Sequence, residues 1–214
     1  MADTIKIDEN DVFVVVDVQN DFCTGSLAIP GSEAIVPVIN RLGRLFTHVV
    51  VTQDWHPVGH ISFSSAHPGT KRGDMVTSHY GPQKVFADHC VIDTDGAALH
   101  PGLKLPNTEL VLRKGFRRNV DSYSAFVEND RTTTTGLAAY LNARGLKRVF
   151  LCGLALYGCV RFSALGAREA GFPTWIIDDA SCSRPDPVNE PIWSRELADA
   201  GVVRCKSDAI AVAQ

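Results

Sequence analysis

The chain has 214 residues, 45% of them hydrophobic, and a formal charge of −3, enough for one α/β domain (residues 1–214) with a substantial core. No Lys/Arg run exceeds two, as in Lys71-Arg72 and Arg117-Arg118, and no apolar run approaches bilayer length, which argues against a nucleic-acid or membrane partner. A small neutral or weakly charged ligand fits better.

The first eleven residues alternate polar with apolar and contain no signal-peptide core, so a cytoplasmic location is expected. Residues 12–16 form a continuous apolar run that reads as a buried strand ending at Asp17. A helix follows from a Ser32 cap through residue 42, and Pro37 within it predicts a bend or a late effective start. Residues 47–52 are the second strand. The segment 53–106 holds most of the histidines among many Gly, Pro, Ser and Asp and shows no periodicity; loops of that length are usually functional. A third strand spans 108–113, a helix 135–144 is closed by Gly145, and a fourth strand spans 147–152. The turn Gly153-Leu-Ala-Leu-Tyr-Gly-Cys-Val160 leads into a helix over 161–170. A fifth strand at 173–178, a helix at 191–200 closed by Gly201, and a short sixth strand at 202–205 complete the chain. Six cysteines without Cys-x-x-Cys spacing read as free thiols.

This alternation predicts a doubly wound, three-layer α/β sandwich on a mostly parallel six-stranded sheet. Ligands of such sheets sit beyond the carboxyl ends of the strands, at the point where the strand order reverses. Asp17 ends the first strand, Asp54 and His56 follow the second, Lys114 the third and Cys159 the fourth. With strand order 3-2-1-4-5-6 the reversal brings Asp17 beside Cys159. Singly, these residues read as a turn-forming Asp, an exposed Lys and a small buried Cys. Together they are a thiol, a base and a cation, the set a thiol needs to attack an unactivated carbonyl. A helix start should also favour the Cys159 thiolate, and the Ala155 and Cys159 N–H groups would form an oxyanion hole. Asp54, His56 and His60, with His89 further on, offer a carboxylate and imidazoles to a divalent ion, Zn²⁺, Mn²⁺ or Fe²⁺.

The segments Asp17-Val-Gln-Asn-Asp-Phe22, Gln53-Asp-Trp-His-Pro57, Asp88-His-Cys-Val91, Lys114-Gly115, Asp121-Ser-Tyr-Ser-Ala-Phe126 and Gly153-Leu-Ala155…Cys159-Val160 resemble the nicotinamidase/pyrazinamidase branch of the isochorismatase-like cysteine hydrolases. The resemblance runs from about residue 11 to 181. It implies the isochorismatase-like hydrolase fold, hydrolysis of nicotinamide to nicotinate and ammonia through a Cys159 thioester, and acceptance of pyrazinamide. It also implies a triad of Asp17, Lys114 and Cys159 and one metal ion, Zn²⁺ first, held by Asp54, His56 and His89 with His60 as an optional ligand. Phe22, Phe86, Tyr123 and Leu154 are expected to contact substrate, and the Leu154–Ala155 peptide to be cis. A homo-oligomer is left open. Two places depart from the family pattern: Tyr157-Gly158, where Asp and a bulkier residue are usual, and Phe86-Ala87, where Trp-Pro is common. The alternatives are a metal-independent small-amide hydrolase of maleamate or ureidoacrylate type, or an impaired homologue that only binds pyridines.

Overall fold

The computed structural model describes residues 4–213. In chain order its elements are β1 (Ile5–Ile7), β2 (Asp11–Val16), α1 (Asn20–Cys23), α2 (Val36–Gly43), β3 (His48–Asp54), β4 (Met75–Ser78), β5 (Gly81–Lys84), β6 (Thr108–Lys114), α3 (Leu137–Ala143), β7 (Arg148–Leu154), α4 (Arg161–Glu169), β8 (Thr174–Cys182), α5 (Glu190–Asp199), β9 (Val203–Cys205) and β10 (Ile210–Val212). The main sheet runs β6-β3-β2-β7-β8-β9 with every neighbouring pair parallel. That is the expected order, and the sheet is wholly rather than mostly parallel.

The middle strand shows why the sequence folds this way. All six residues of β2 are buried, because helices cover both faces. Val12, Val14 and Val16 face a core shared with Leu137 and Leu141 of α3 and Ala164 and Ala167 of α4. Phe13 and Val15 point the other way, to Ile39 and Leu42 of α2. Period-2 side-chain direction thus feeds two cores at once. Burying one such Val or Phe contributes about 1.5–3 kcal/mol relative to exposure. Between β7 and β2 the backbones come so close that a Cβ on Gly153, at φ +118°, would lie 2.1 Å from the Val16 carbonyl oxygen.

Several boundaries differ from expectation for identifiable reasons. Ser32 does not cap a helix; it opens a 3₁₀ turn over Ser32–Ile35, and α2 starts at Val36 with Pro37 in its first turn, where a missing N–H costs nothing. The fifth strand extends to Cys182 past the turn-like Asp178-Asp179 pair, since Asp178 accepts from Arg204 at 2.8 Å and Asp179 from Ser207 Oγ at 2.6 Å. A register shift opposite Leu151/Gly153 lets the lengthened strand pair again with β7. Within the long irregular segment lies the β4–β5 hairpin, too short and too proline-marked to show periodicity. Residues 206–212, unassigned from sequence, supply β10, which pairs in parallel with β1. Among the described residues no helix is long and apolar enough to cross a membrane.

Candidate active site and metal centre

The carboxyl ends of β2, β3, β6 and β7 meet at one edge, and the charged residues that end them are buried there. Lys114, 1% exposed, closes β6. Its Nζ lies 2.8 Å from Asp17 Oδ2, 2.5 Å from Asp54 Oδ1 and 3.5 Å from Cys159 Sγ, and it donates to the Ser122 carbonyl at 3.0 Å. Asp17 takes a left-handed φ of 51° just past the end of β2. One of its oxygens accepts from Thr52 Oγ1 at 2.5 Å. The other faces the ammonium without a hydrogen bond of ordinary geometry, so it remains an acceptor for a further proton. The ligand atoms of Asp17, Asp54 and Cys159 all lie within 4.8 Å of one another.

Burial and charge set the protonation of this group. Burial pushes the Asp17 carboxyl up to about 6 against the pull of Lys114, with Asp54 adding to the rise. Asp54 is buried as deeply, yet Lys114, His56 and His89 hold it well below the usual carboxylate range. Lys114 stays firmly protonated: burial opposes its charge, but Asp17 and Asp54 outweigh that. For Cys159 the expectation is corrected. A short turn, Leu156–Val160, intervenes before α4 begins, and burial raises the thiol well above its ordinary value, with Lys114 opposing the rise and Asp17 and Asp54 adding to it. The resting nucleophile is a thiol, so it needs a base.

The second cluster lies on the far side of Asp54. His56 Nδ1 donates to the Gly115 carbonyl at 2.8 Å and His89 Nδ1 to the Ala87 carbonyl at 2.8 Å. A carbonyl only accepts, so each Nδ1 carries the hydrogen and each Nε2 presents a lone pair. Both lone pairs turn toward Asp54 Oδ2, at 3.7 and 4.0 Å, and ligand atoms of the three residues lie within 4.8 Å of one another. Two imidazoles with their second nitrogens anchored on carbonyls, plus one carboxylate, are the donor set of a borderline divalent cation. Burial and the charge of the neighbouring His56 push His89 down to about 4, while Asp54 overcomes burial to hold His56 up. Gly115, at φ +67°, makes room, for a Cβ there would lie 2.4 Å from His56 Cε1.

His60 is not among the Asp54–His56–His89 ligand atoms but falls with His56 and Asp121 in a second buried group whose ligand atoms lie within 4.8 Å of one another. Its ring stacks on His56 at 4.1 Å, with Nδ1 2.7 Å from Ser62 Oγ and Nε2 3.2 Å from the Val120 carbonyl. Phe22, Phe86 and Tyr123 line a pocket of about 400 Å³ that opens above Cys159, Asp54 and His89. Leu154 does not: its side chain is fully buried in the core on the α2 side of the sheet. The Leu154–Ala155 peptide is cis, and the Ala155 carbonyl accepts from Gly158 and Val160 N–H at 2.9 and 3.2 Å.

Some supporting residues were not singled out from sequence. Thr52 orients Asp17. Gln19, fully buried, donates from Nε2 to the Asp54 carbonyl at 2.8 Å and accepts the Asp54 N–H at 2.8 Å, fixing where β3 ends. Gln83 on β5 donates to Asp121 Oδ2 at 3.0 Å and Tyr123 Oη at 2.9 Å beside the pocket. Only the strand order, which puts Thr52 and Asp54 next to residues 17–19, could have drawn out the first two.

The chain is similar in sequence and fold to known proteins. A nicotinamidase of Acinetobacter baylyi is 46% identical over 211 residues, covering 97% of this chain and 98% of its own. The structure of a nicotinamidase/pyrazinamidase of Acinetobacter baumanii, 42% identical, superposes with a TM-score of 0.92 over 95% of this chain and 99% of that one. A pyrazinamidase of Pyrococcus horikoshii, solved in complex with zinc, is 30% identical with a TM-score of 0.76, covering 92% and 99%. The isochorismatase domain signature spans residues 11–204, and by that match and these likenesses the chain belongs to the isochorismatase domain family.

Proposed function

We propose that this chain, a single domain over residues 1–214, hydrolyses nicotinamide to nicotinate and ammonia in the cytoplasm, and pyrazinamide by the same route. The observation that carries the reading is the buried Asp17–Lys114–Cys159 contact, 2.8 and 3.5 Å from the one ammonium, at the floor of an aromatic pocket. The identity with known nicotinamidases supports the substrate.

In this reading Asp17 Oδ2 takes the proton from Cys159 Sγ, and the thiolate adds to the amide carbonyl carbon. The Ala155 and Cys159 N–H groups receive the negative oxygen. Asp17 hands the proton to the departing nitrogen, the C–N bond breaks, and ammonia leaves a thioester on Cys159. Asp17 then takes a proton from water, whose oxygen adds to the thioester. Collapse breaks the C–S bond, Cys159 recovers its proton and nicotinate departs. Lys114 keeps Asp17 in place and steadies the negative charge as it moves between carboxylate and thiolate. Asp54, His56 and His89 would hold a divalent ion, Zn²⁺ by preference over Mn²⁺ or Fe²⁺, whose Lewis acidity supplies a grip for the pyridine nitrogen. Phe22, Phe86 and Tyr123 sandwich and edge the ring.

The convergent lone pairs of His56 and His89 favour this reading over a metal-independent small-amide hydrolase. Ammonia release from nicotinamide by purified protein, with bound metal measured on the same sample, is the test. Absence of turnover with metal present would leave a pyridine-binding homologue.

A further inference from the structure

The pocket is larger than the proposed substrate. Its 400 Å³ falls among sites that hold drug-sized molecules, about 300–1,000 Å³, whereas nicotinamide is a single small ring. Beyond the floor the pocket is lined by Leu27, Met75, Tyr157, Phe162 and Trp193, with Lys84 as the exposed charged residue among them. The Tyr157 and Trp193 rings pack at 5.2 Å. Their wall is braced: Arg204 donates to Tyr157 Oη at 3.3 Å, to Ser194 Oγ at 3.0 Å and to Asp178 at 2.8 Å, and Arg161 ties the Tyr157 carbonyl at 3.2 Å to Glu196 of α5 at 2.5 Å. Gly158 keeps the approach open, since a Cβ there would meet only Ala155 Cβ, at 3.5 Å. Tyr157 thus lines the pocket beside Cys159 with its ring packed on Trp193 of α5.

How a ring would sit says which atom meets this space. On the proposed function, on which this inference rests, the ring nitrogen faces the Asp54–His56–His89 cluster and the carboxamide carbon faces Cys159. Both lie on the buried floor, no residue there more than 8% exposed. In a pyridine ring those two positions flank C2, so C2 points into the floor and C5, opposite it, points at the rim. We propose that Tyr157 and Trp193 form a specificity wall that admits nicotinamides carrying an apolar substituent, up to a phenyl ring, on C5. The reaction is unchanged: water adds, the amide C–N bond breaks and ammonia leaves, while the substituent takes no part.

The test compares kcat/KM for nicotinamide with that for 5-phenylnicotinamide and its 4- and 6-phenyl isomers, on metal-loaded protein. The 5-isomer should come within about tenfold of nicotinamide and the others fall more than about a hundredfold below it, the scale on which pocket walls discriminate. In Trp193→Ala the 5-phenyl to nicotinamide ratio should drop about tenfold or more. Binding gives a second readout: the product 5-phenylnicotinate should quench tryptophan emission in the parent protein, and this quenching should vanish in Trp193→Phe. Nicotinamide turnover with no turnover or binding of the 5-phenyl compounds overturns this inference and leaves the proposed function standing; so does a ratio unmoved by Trp193→Ala. Failure with nicotinamide itself removes both.

Discussion

Asp17→Asn separates two effects that usually travel together, the ionisation of a nucleophile and its productivity. The amide should fit without disturbing the fold. Lys114 only donates, so the amide oxygen takes the Oδ2 side, 2.8 Å from Nζ, and the NH₂ turns to Thr52, whose hydroxyl can accept as readily as it donates. The floor holds two carboxylates against one ammonium, one net negative charge, and the substitution removes it. Asp17 lies within 4.8 Å of the Cys159 sulfur. At that distance, with an effective dielectric constant of about 20, one charge is worth about 3.5 kcal/mol. The thiol should therefore ionise more easily in the variant. Hydrolysis should nonetheless slow by about 10²–10⁴-fold, because no group returns the proton to the leaving nitrogen. The assay pairs ammonia release with the pH dependence of Cys159 alkylation by iodoacetamide, read by peptide mass spectrometry. Near-normal turnover, or an alkylation midpoint that does not move to lower pH, would refute the argument.

Cys159→Ala should abolish turnover while leaving metal content and melting temperature unchanged, whereas Cys182→Ala, half-buried at the end of β8, should be near neutral; residual activity in the first variant removes the covalent route. The base must be a carboxylate, and burial raises Asp17 to about 6, so kcat/KM should fall as pH drops through about 6, a limb that Asp17→Asn should lack. Thr52→Val deletes the bond that favours the Asp17 carboxylate, so the same limb should move to higher pH, and a limb left in place would dissociate Asp17 from it. Chelation or His89→Ala should cost much more with nicotinamide than with benzamide, which lacks the ring nitrogen, and equal losses in kcat/KM would return the metal to Lewis-acid or structural duty.

Strand ends were the most legible part of the sequence, for a physical reason. A buried parallel strand is a continuous apolar run, and the first charged residue after it marks the carboxyl edge of the sheet. Asp17, Asp54, Lys114 and Cys159 could thus be put on one edge before any contact was known. His56 and His89 stood out as imidazoles in the histidine-bearing segment that could join Asp54 on a divalent ion, and Phe22 came with the family's motifs. The hairpin at residues 75–84 was hidden, because it is held by Gln83 and Tyr80 hydrogen bonds to Asp121 rather than by an apolar pattern. Leu154 was misread for the opposite reason: it adjoins the site in sequence, but side chains alternate along β7, and its own points into the core.

The thiol was misread for a reason that bears on how the site works. Sequence placed Cys159 at a helix start, where a dipole favours thiolate; the structure buries it, and that burial, with Asp17 and Asp54 beside it, keeps the proton on sulfur despite Lys114. A resting thiolate would add a third buried negative charge beside Asp17 and Asp54, with Lys114 as their shared cation, and react with passing electrophiles. A resting thiol with a base whose own carboxyl is raised to about 6 holds the proton until a carbonyl arrives to take up the negative charge. Lys114 suits that arrangement because it touches both partners of the transfer: as the charge passes from Asp17 to Cys159 it stays within 3.5 Å of the same ammonium, so the transfer needs little reorganisation. Neutralising Lys114 would then hurt both directions of proton movement, and no helix dipole at α4 could make up for it.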